Sequence, residues 1–151
     1  MKNMVNWQYI GGVVGVVGDS IIIKDSKNYG NMTLIAPGNS VYCAGIAGYA
    51  DSTLSGVINY GEIYAEGAEP WVGGIAGDFS GTTMEKCYNL GNIKVVSAPK
   101  ESGYSCLFVG GLLGWTGADS ISECYNKGNL EIVDSKIQSD KLWAYVRRSI
   151  R

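Results

Sequence analysis

Acidic side chains are the residues of this chain whose type and spacing come nearest to known chemistry. Between Asn28 and Glu85 there is no lysine or arginine. The carboxylates up to that point are Asp51, Glu62, Glu66, Glu69, Asp78 and Glu85. Two carboxylates that converge can cleave a glycosidic bond, and Asp51, Glu62, Asp78 and Glu85 are the candidates. The same stretch could instead form a solvated acidic flank, or a docking face for a basic partner through complementary potential.

Other catalytic arrangements are missing from the sequence. The chain has no histidine, which excludes Ser-His-Asp and Cys-His nucleophiles. No G-x-x-x-x-G-K-[ST] loop is present to cradle a phosphate. The four cysteines form no C-x-x-C pair, so a zinc site is not expected. We therefore predict a protein that is not an enzyme and that uses no metal and no cofactor.

The elements that must position these residues follow from a repeat that occurs four times. Its first half is glycine-rich, at residues 11–15, 44–48, 73–77 and 110–114. Its second half is an Asn-x-Gly segment, at residues 28–32, 59–63, 89–93 and 126–130. The step from Gly12 to Gly45 is 33 residues, the step from Gly45 to Gly74 is 29, and the step from Gly74 to Gly111 is 37. A period of this size indicates a solenoid, a propeller or an array of repeats.

The residue types favour strands over helices. After each Asn-x-Gly, apolar residues alternate with polar ones, which is the two-residue period of a strand with one buried face. The inward positions are Met32 and Leu34, Ile63 and Ala65, Ile93 and Val95, Leu130 and Ile132. The glycines of this motif are expected to turn the chain with a positive φ. They are Gly30, Gly61, Gly91 and Gly128.

The repeat predicts a single all-β domain over residues 1–151, a short parallel β-helix (β-solenoid) of about four coils. The coils are expected at about residues 9–36, 41–65, 71–96 and 107–133. Residues 139–151 are predicted to form a short C-terminal capping helix, because Ser139 or Asp140 can cap its start and arginines suit its end. The alternative for this tail is a basic, aromatic segment that contacts a membrane or a partner.

Two sets of side chains are expected to form columns along the stack. Asn28, Asn59, Asn89 and Asn126 should form a hydrogen-bonded amide ladder. Tyr9, Tyr42, Trp71 and Phe108 should form an aromatic column, either packed within the fold or exposed to bind sugar rings or a protein. The predicted partner-binding residues are Glu62, Glu66, Glu69, Tyr42, Trp71 and Phe108. On the outer face, Lys94 and Glu131 are predicted to form an ion pair.

The cysteines are interpreted mainly as small buried side chains. Cys87 and Cys124 occupy the same position in neighbouring repeats, and Cys43 falls at an apolar position of its repeat. A disulfide between Cys87 and Cys124 is the alternative if their Cα atoms come close enough. Cys106 is placed in the longer connection before the fourth coil.

The repeat resembles a known family. Val-Gly-Gly-Ile-Ala-Gly at residues 72–77, followed by Cys-Tyr-Asn-Leu-Gly-Asn-Ile at residues 87–93, is similar to the GLUG-motif repeat. The resemblance covers residues 8–133. It implies β-helical repeats of the type found in bacterial surface and secreted proteins, including regions attached to IgA-cleaving metalloproteases. Such repeats usually act as carriers rather than catalysts.

Charge and hydropathy limit the partners. The net charge is −2 and the main body has no basic patch, so nucleic-acid binding is not expected. No apolar run of about 18 residues is present, so no membrane span is expected. Because the open ends of a strand stack can pair with other strands, end-to-end self-association is a further expectation.

Two functions remain open from the sequence. The first is a non-enzymatic module of a bacterial surface or secreted protein, acting in adhesion, in protein or glycan binding, or as a spacer. It would be extracellular or at the cell surface if the chain is a fragment. The alternative is a free-standing intracellular inhibitor, of mobile-element or phage type, that blocks a protein partner and is cytoplasmic if the chain is complete as given. The resemblance favours the first, and the lack of a convincing signal peptide favours the second.

Overall fold

The computed structural model describes residues 7–97, 105–134 and 142–147, which form nineteen β-strands and, within those ranges, no helix. The first nine are β1 (Trp7–Gly11), β2 (Val14–Val17), β3 (Ile22–Lys24), β4 (Lys27–Asn28), β5 (Met32–Ala44), β6 (Ala47–Ala50), β7 (Thr53–Ser55), β8 (Ile58–Asn59) and β9 (Ile63–Gly73). The others are β10 (Ala76–Phe79), β11 (Thr83–Glu85), β12 (Tyr88–Asn89), β13 (Ile93–Ser97), β14 (Ser105–Gly110), β15 (Leu113–Thr116), β16 (Ser120–Ser122), β17 (Tyr125–Asn126), β18 (Leu130–Asp134) and β19 (Leu142–Arg147).

The strands form four sheets whose described pairs are all parallel. Three sheets have four strands each, in the orders β2-β6-β10-β15, β3-β7-β11-β16 and β4-β8-β12-β17. The fourth sheet has the order β1-β5-β9-β13-β18, and β14 lies between β9 and β19. Each repeat adds one strand to each four-stranded sheet, so the expectation of an all-β fold with parallel strands is confirmed. The arrangement is consistent with a parallel β-helix.

Equivalent positions of successive repeats are direct neighbours across the strands. Ile63 pairs with Met32 on one side and Ile93 on the other, and Ile93 pairs in turn with Leu130. All the inward positions of this strand pack into one apolar cluster with Cys43, Val72 and Val109. The register therefore stacks each side-chain column over the equivalent residues of the next repeat, as the repeat predicted.

The first strand of each repeat buries one face that the sequence left undecided. Cys43 and Val72 are fully buried in the apolar cluster shared with Ile63. Because side chains alternate along a strand, the aromatic residues that precede them face the other way. A second apolar cluster lies around Ile46, Ile75 and Phe79.

The predicted C-terminal helix is wrong for residues 142–147, which form strand β19. The remaining residues assigned to it, 139–141 and 148–151, lie outside the described residues. Strand β19 runs parallel to β14, with Tyr145 beside Phe108, Val146 beside Val109 and Arg147 beside Gly110. The tail therefore repeats the aromatic-Val step that precedes the glycine pairs of the third and fourth repeats. Aromatic and β-branched residues favour strands.

The positive φ expected at the Asn-x-Gly glycines is found elsewhere. The left-handed residue lies three positions before each ladder asparagine, at Asp25, Gly56, Lys86 and Glu123, with φ of 51°, 64°, 51° and 51°. At Gly61 the reason for glycine is close stacking instead, because a Cβ there would run into the carbonyl oxygen of Gly30. Cys106 also departs from its predicted place, since it lies within strand β14 rather than in a connection.

Candidate functional site

The asparagine ladder fixes the strands that carry the outer surface. Asn28 Nδ2 donates to Asn59 Oδ1 at 2.8 Å, and Asn59 Nδ2 donates to Asn89 Oδ1 at 2.8 Å. Asn89 Nδ2 continues the series to Asn126 Oδ1 at 2.7 Å. Each asparagine also donates to the carbonyl of the glycine two residues later, for example Asn59 to Gly61 at 2.9 Å. The predicted ladder is confirmed, and it anchors the start of β5, β9, β13 and β18.

An open polar cleft of about 390 Å³ crosses the outer face of these four strands. One side is formed by the position that precedes each strand, and the other by the outward position two residues later. The first column is Asn31, Glu62, Asn92 and Asn129, and the second is Thr33, Tyr64, Lys94 and Glu131. The cleft therefore combines three amides, two carboxylates, an ammonium and a phenol on a rigid sheet.

Contacts within the cleft run between neighbouring repeats. The Glu62 N–H donates to Asn31 Oδ1 at 2.9 Å, and the Asn129 N–H donates to Asn92 Oδ1 at 3.0 Å. Asn92 Nδ2 reaches Glu62 Oε1 at 3.5 Å, which is a weak hydrogen bond. Asparagine side-chain oxygens thus accept hydrogen bonds from backbone N–H groups of the next repeat. The exposed carboxylate of Glu62 is held only weakly by Asn92.

An ion pair and a phenol border the cleft. Lys94 Nζ lies 3.2 Å from Glu131 Oε1, as the sequence predicted, and both side chains are about half exposed. Tyr64 Oη donates to Glu66 Oε2 at 3.2 Å. Desolvation, and then the hydrogen bond with Glu66, raises the pKa of Tyr64, so the phenol keeps its proton at physiological pH. Because solvent screens exposed charges, the ion pair between Lys94 and Glu131 adds little to the stability of the fold.

The aromatic column forms, but its rings cover one another. The ring centroids are 4.6 Å apart for Tyr9 and Tyr42, 5.2 Å for Tyr42 and Trp71, and 4.1 Å for Trp71 and Phe108. Tyr42 is only 7% exposed. Because sugar binding by aromatic residues uses the open face of a ring, the inner rings of this column are closed to that contact. The rings therefore stack on one another, with Tyr42 buried and the other three rings partly exposed, and a binding role for the column stays a prediction.

Two carboxylates lie near the aromatic column. Ser40 Oγ donates to Glu69 Oε2 at 2.6 Å. Burial, followed by the charges of Tyr9, Asp78 and Glu69, raises the pKa of Tyr42 to about 12. Burial also raises the pKa of Asp78, and a hydrogen bond from Ser80 Oγ at 3.3 Å opposes part of that change.

The six predicted partner-binding residues separate into two groups. Glu66 lies in the part of β9 that pairs with β13, and Glu62 directly precedes β9 and lines the polar cleft. Glu69 lies in the part of β9 that leads to the pairing with β14, next to the aromatic column of Tyr42, Trp71 and Phe108. Glu69 therefore lies further along β9 and is not among the residues that line the cleft with Glu62.

The carboxylates considered for glycosidic cleavage are spread over different sheets. Asp78 lies in β10 and Glu85 in β11, whereas Glu62 precedes β9 and Asp51 follows β6. Glu85 Oε1 accepts a hydrogen bond from Ser55 Oγ at 2.9 Å. Asp51 instead lines a second, smaller cleft of about 280 Å³ beside Asp19.

All four cysteines are free thiols, and Cys43, Cys87 and Cys124 are buried. The Cys87 N–H donates to Cys124 Sγ at 3.4 Å. The hydrogen bond between the two side chains, followed by burial, raises the pKa of the Cys87 thiol. Burial raises the pKa of Cys43 to about 12. Cys87 and Cys124 belong to the apolar cluster around Ile46, and Cys43 belongs to the cluster around Ile63, so these three thiols pack as apolar side chains, as predicted.

Sequence reasoning missed most of the cleft. The sequence predicted Glu62 as a partner-binding residue and Lys94 with Glu131 as an ion pair, but did not place the three in one cleft. The sequence feature that could have indicated the cleft is the polar residue directly before each strand, at Asn31, Glu62, Asn92 and Asn129. These residues line up beside the column of Lys94 and Glu131 only when the repeats are stacked.

Comparisons with protein-family models, with curated proteins and with solved structures gave no match for this chain. The resemblance to the GLUG-motif repeat therefore stays a prediction. Among the residues described here, no helix has the length and apolar character needed to cross a membrane. Over the same residues, no three His, Cys, Asp or Glu side chains are grouped so that they could hold a metal ion.

Proposed function

We propose that the chain is a non-enzymatic repeat module, a β-solenoid of about four coils, that binds a glycan in its outer polar cleft. The observation that carries this proposal is the cleft of about 390 Å³ lined by the columns of Glu62 and Lys94. Carboxylates, amides and an ammonium offer both acceptors and donors, which is what the hydroxyl groups of a sugar require.

Rigidity supports the same proposal. The cleft side chains stand on parallel strands that are hydrogen-bonded on both sides in the second and third repeats. A ligand that binds to such a surface needs little ordering of the protein, so less binding free energy is lost on association. The resemblance to GLUG-motif repeats adds an expected setting, a bacterial surface or secreted protein in which the module acts in adhesion or as a spacer.

Isothermal titration calorimetry with a panel of neutral, amino and acidic oligosaccharides tests the proposal. Glu62→Gln keeps the shape of the side chain and removes its charge, and we expect it to weaken binding at least tenfold. The matched control is Glu123→Gln, an exposed acid on another sheet corner, which should change affinity less than twofold. No binding at millimolar sugar, or equal effects of the two substitutions, would refute the glycan site.

A protein partner is the alternative outcome. If the panel fails and a basic protein binds with a loss of affinity on Glu62→Gln and Glu66→Gln, the acidic face serves protein docking instead. That result would support the inhibitor hypothesis.

A further inference from the structure

The two ends of the stack differ in what they expose. The first-repeat face is formed by the edge strands β1 to β4, and the fourth-repeat face by the edge strands β15 to β18. Val13 on the first-repeat face is 45% exposed, whereas the equivalent Ile46 of the next repeat is fully buried. Ile23, on the edge strand β3, is only partly buried, whereas Leu54 and Met84 at the equivalent positions of the next repeats are fully buried. An apolar face of this kind invites pairing with a further layer of strands.

The asparagine ladder gives the stack a direction. Asn59 uses both of its amide hydrogens and both acceptor positions, through its neighbours in the ladder and Gly61. Among the described residues, Asn28 Oδ1 accepts only from Gly30, and Asn126 Nδ2 donates only to Gly128. One end thus offers an acceptor and the other a donor. A second copy in the same orientation satisfies both, whereas two first-repeat faces would set carbonyl against carbonyl.

Strand β19 occupies a place that such a copy would need. Stacking β2, β3 and β4 of a second copy on β15, β16 and β17 would bring its β1 to the free edge of β14. That edge is held by β19, with Tyr145 beside Phe108 as Tyr9 is beside Tyr42. Since β19 repeats the aromatic-aliphatic pattern of β1, the two strands compete for one edge.

We propose that β19 is an intramolecular cap that prevents head-to-tail assembly, and that the partner fitting the first-repeat face is the fourth-repeat face of a second copy. Neighbouring columns support this pairing. The Lys27 column ends at Tyr125, and the Tyr29 column ends at Lys127, so each contact would join a cation to an aromatic ring. Because this interface joins two different faces of the chain, each added copy leaves one face of each kind free at the ends. Chains without the cap would therefore form open filaments.

The test removes the cap within the full chain. The double variant Tyr145→Pro/Val146→Pro removes two successive N–H donors, one of which must point toward β14 since alternate amides of a strand face opposite edges. Light scattering coupled to size exclusion should show the wild type as a monomer and the variant as a series of growing species. The concentration at which association begins should fall at least tenfold.

Two additions locate the interface. Val13→Lys on the first-repeat face should return the double-proline variant to a monomer, whereas Thr82→Lys, an exposed site in the third repeat, should not. A milder variant, Tyr145→Gly/Val146→Gly, covers the case in which proline unfolds the chain. Monomeric behaviour of the uncapped variants, or assembly unaffected by Val13→Lys, overturns the proposal. Loss of the strand signal in circular dichroism for both variants also overturns it, because β19 would then belong to the core.

Discussion

The side chain of Asn59 lies against the Cα atom of Gly45, so closely that a Cβ at position 45 would overlap its amide group. The same contact joins Asn28 to Gly12, Asn89 to Gly74 and Asn126 to Gly111. These four glycines are therefore required by the ladder and not by a turn. The glycine-rich motif and the Asn-x-Gly motif of each repeat are therefore in direct contact in the structure.

Gly45→Ala is expected to destabilise the protein by about 3 kcal/mol, the upper range for an overpacked interior. Urea denaturation measures this change. Gly18→Ala is the control, because a Cβ at that position would meet no atom within 4 Å. In an Asn59→Gly background, Gly45→Ala should cost less than it does in the wild type, and an unchanged cost in that background would show that the overlap is not the cause.

Asn59→Ala is expected to lower the free energy of unfolding by about 3 to 4 kcal/mol. The fully buried amide makes four hydrogen bonds, and its removal also leaves neighbouring groups unpaired. Asn92→Ala, in the exposed column, should cost less than about 1 kcal/mol. Equal losses for the two variants in the same denaturation experiment would contradict a special contribution of the buried ladder.

Lys86→Gly is expected to stabilise the protein by up to about 1 kcal/mol. Lys86 has a φ of 51°, a left-handed conformation that is unfavourable for a residue with a Cβ. Thermal unfolding should show the gain, and Gly56→Ala, at φ 64° in the equivalent position, should show a loss. Thr82→Gly serves as the control for backbone flexibility and should be destabilising. Destabilisation by Lys86→Gly would mean that its side chain outweighs the strain.

Asp78→Asn is expected to stabilise the protein at neutral pH. Burial raises the pKa of Asp78, so the folded state holds this proton to a higher pH than the unfolded chain does. Stability therefore falls as pH rises from the ordinary carboxyl range through the raised pKa. The difference between variant and wild type should vanish below that window, as measured by denaturation at several pH values. A gain that persists in acid would point to packing rather than charge.

The columns of the fold could be read from the sequence because stacking repeats each side chain at a fixed position. Strand β19 could not, because Arg147 and Arg148 stand where glycines follow the aromatic-Val step in the third and fourth repeats. The left-handed corner was hidden for a similar reason, since only Gly56 among its four residues is a glycine. The buried face of the first strand was undecided because both of its faces are small and apolar.

The parallel stacking described above also governs how the protein opens. Strands of the second and third repeats have a neighbour on each side, whereas β2, β3 and β4 at one end and β15, β16 and β17 at the other have one. Stability is then close to a sum of nearest-neighbour terms, as in a one-dimensional chain of coupled units. Fraying should start at the first and fourth repeats and move inward, and amide hydrogen exchange should be slowest around Asn59 and Asn89.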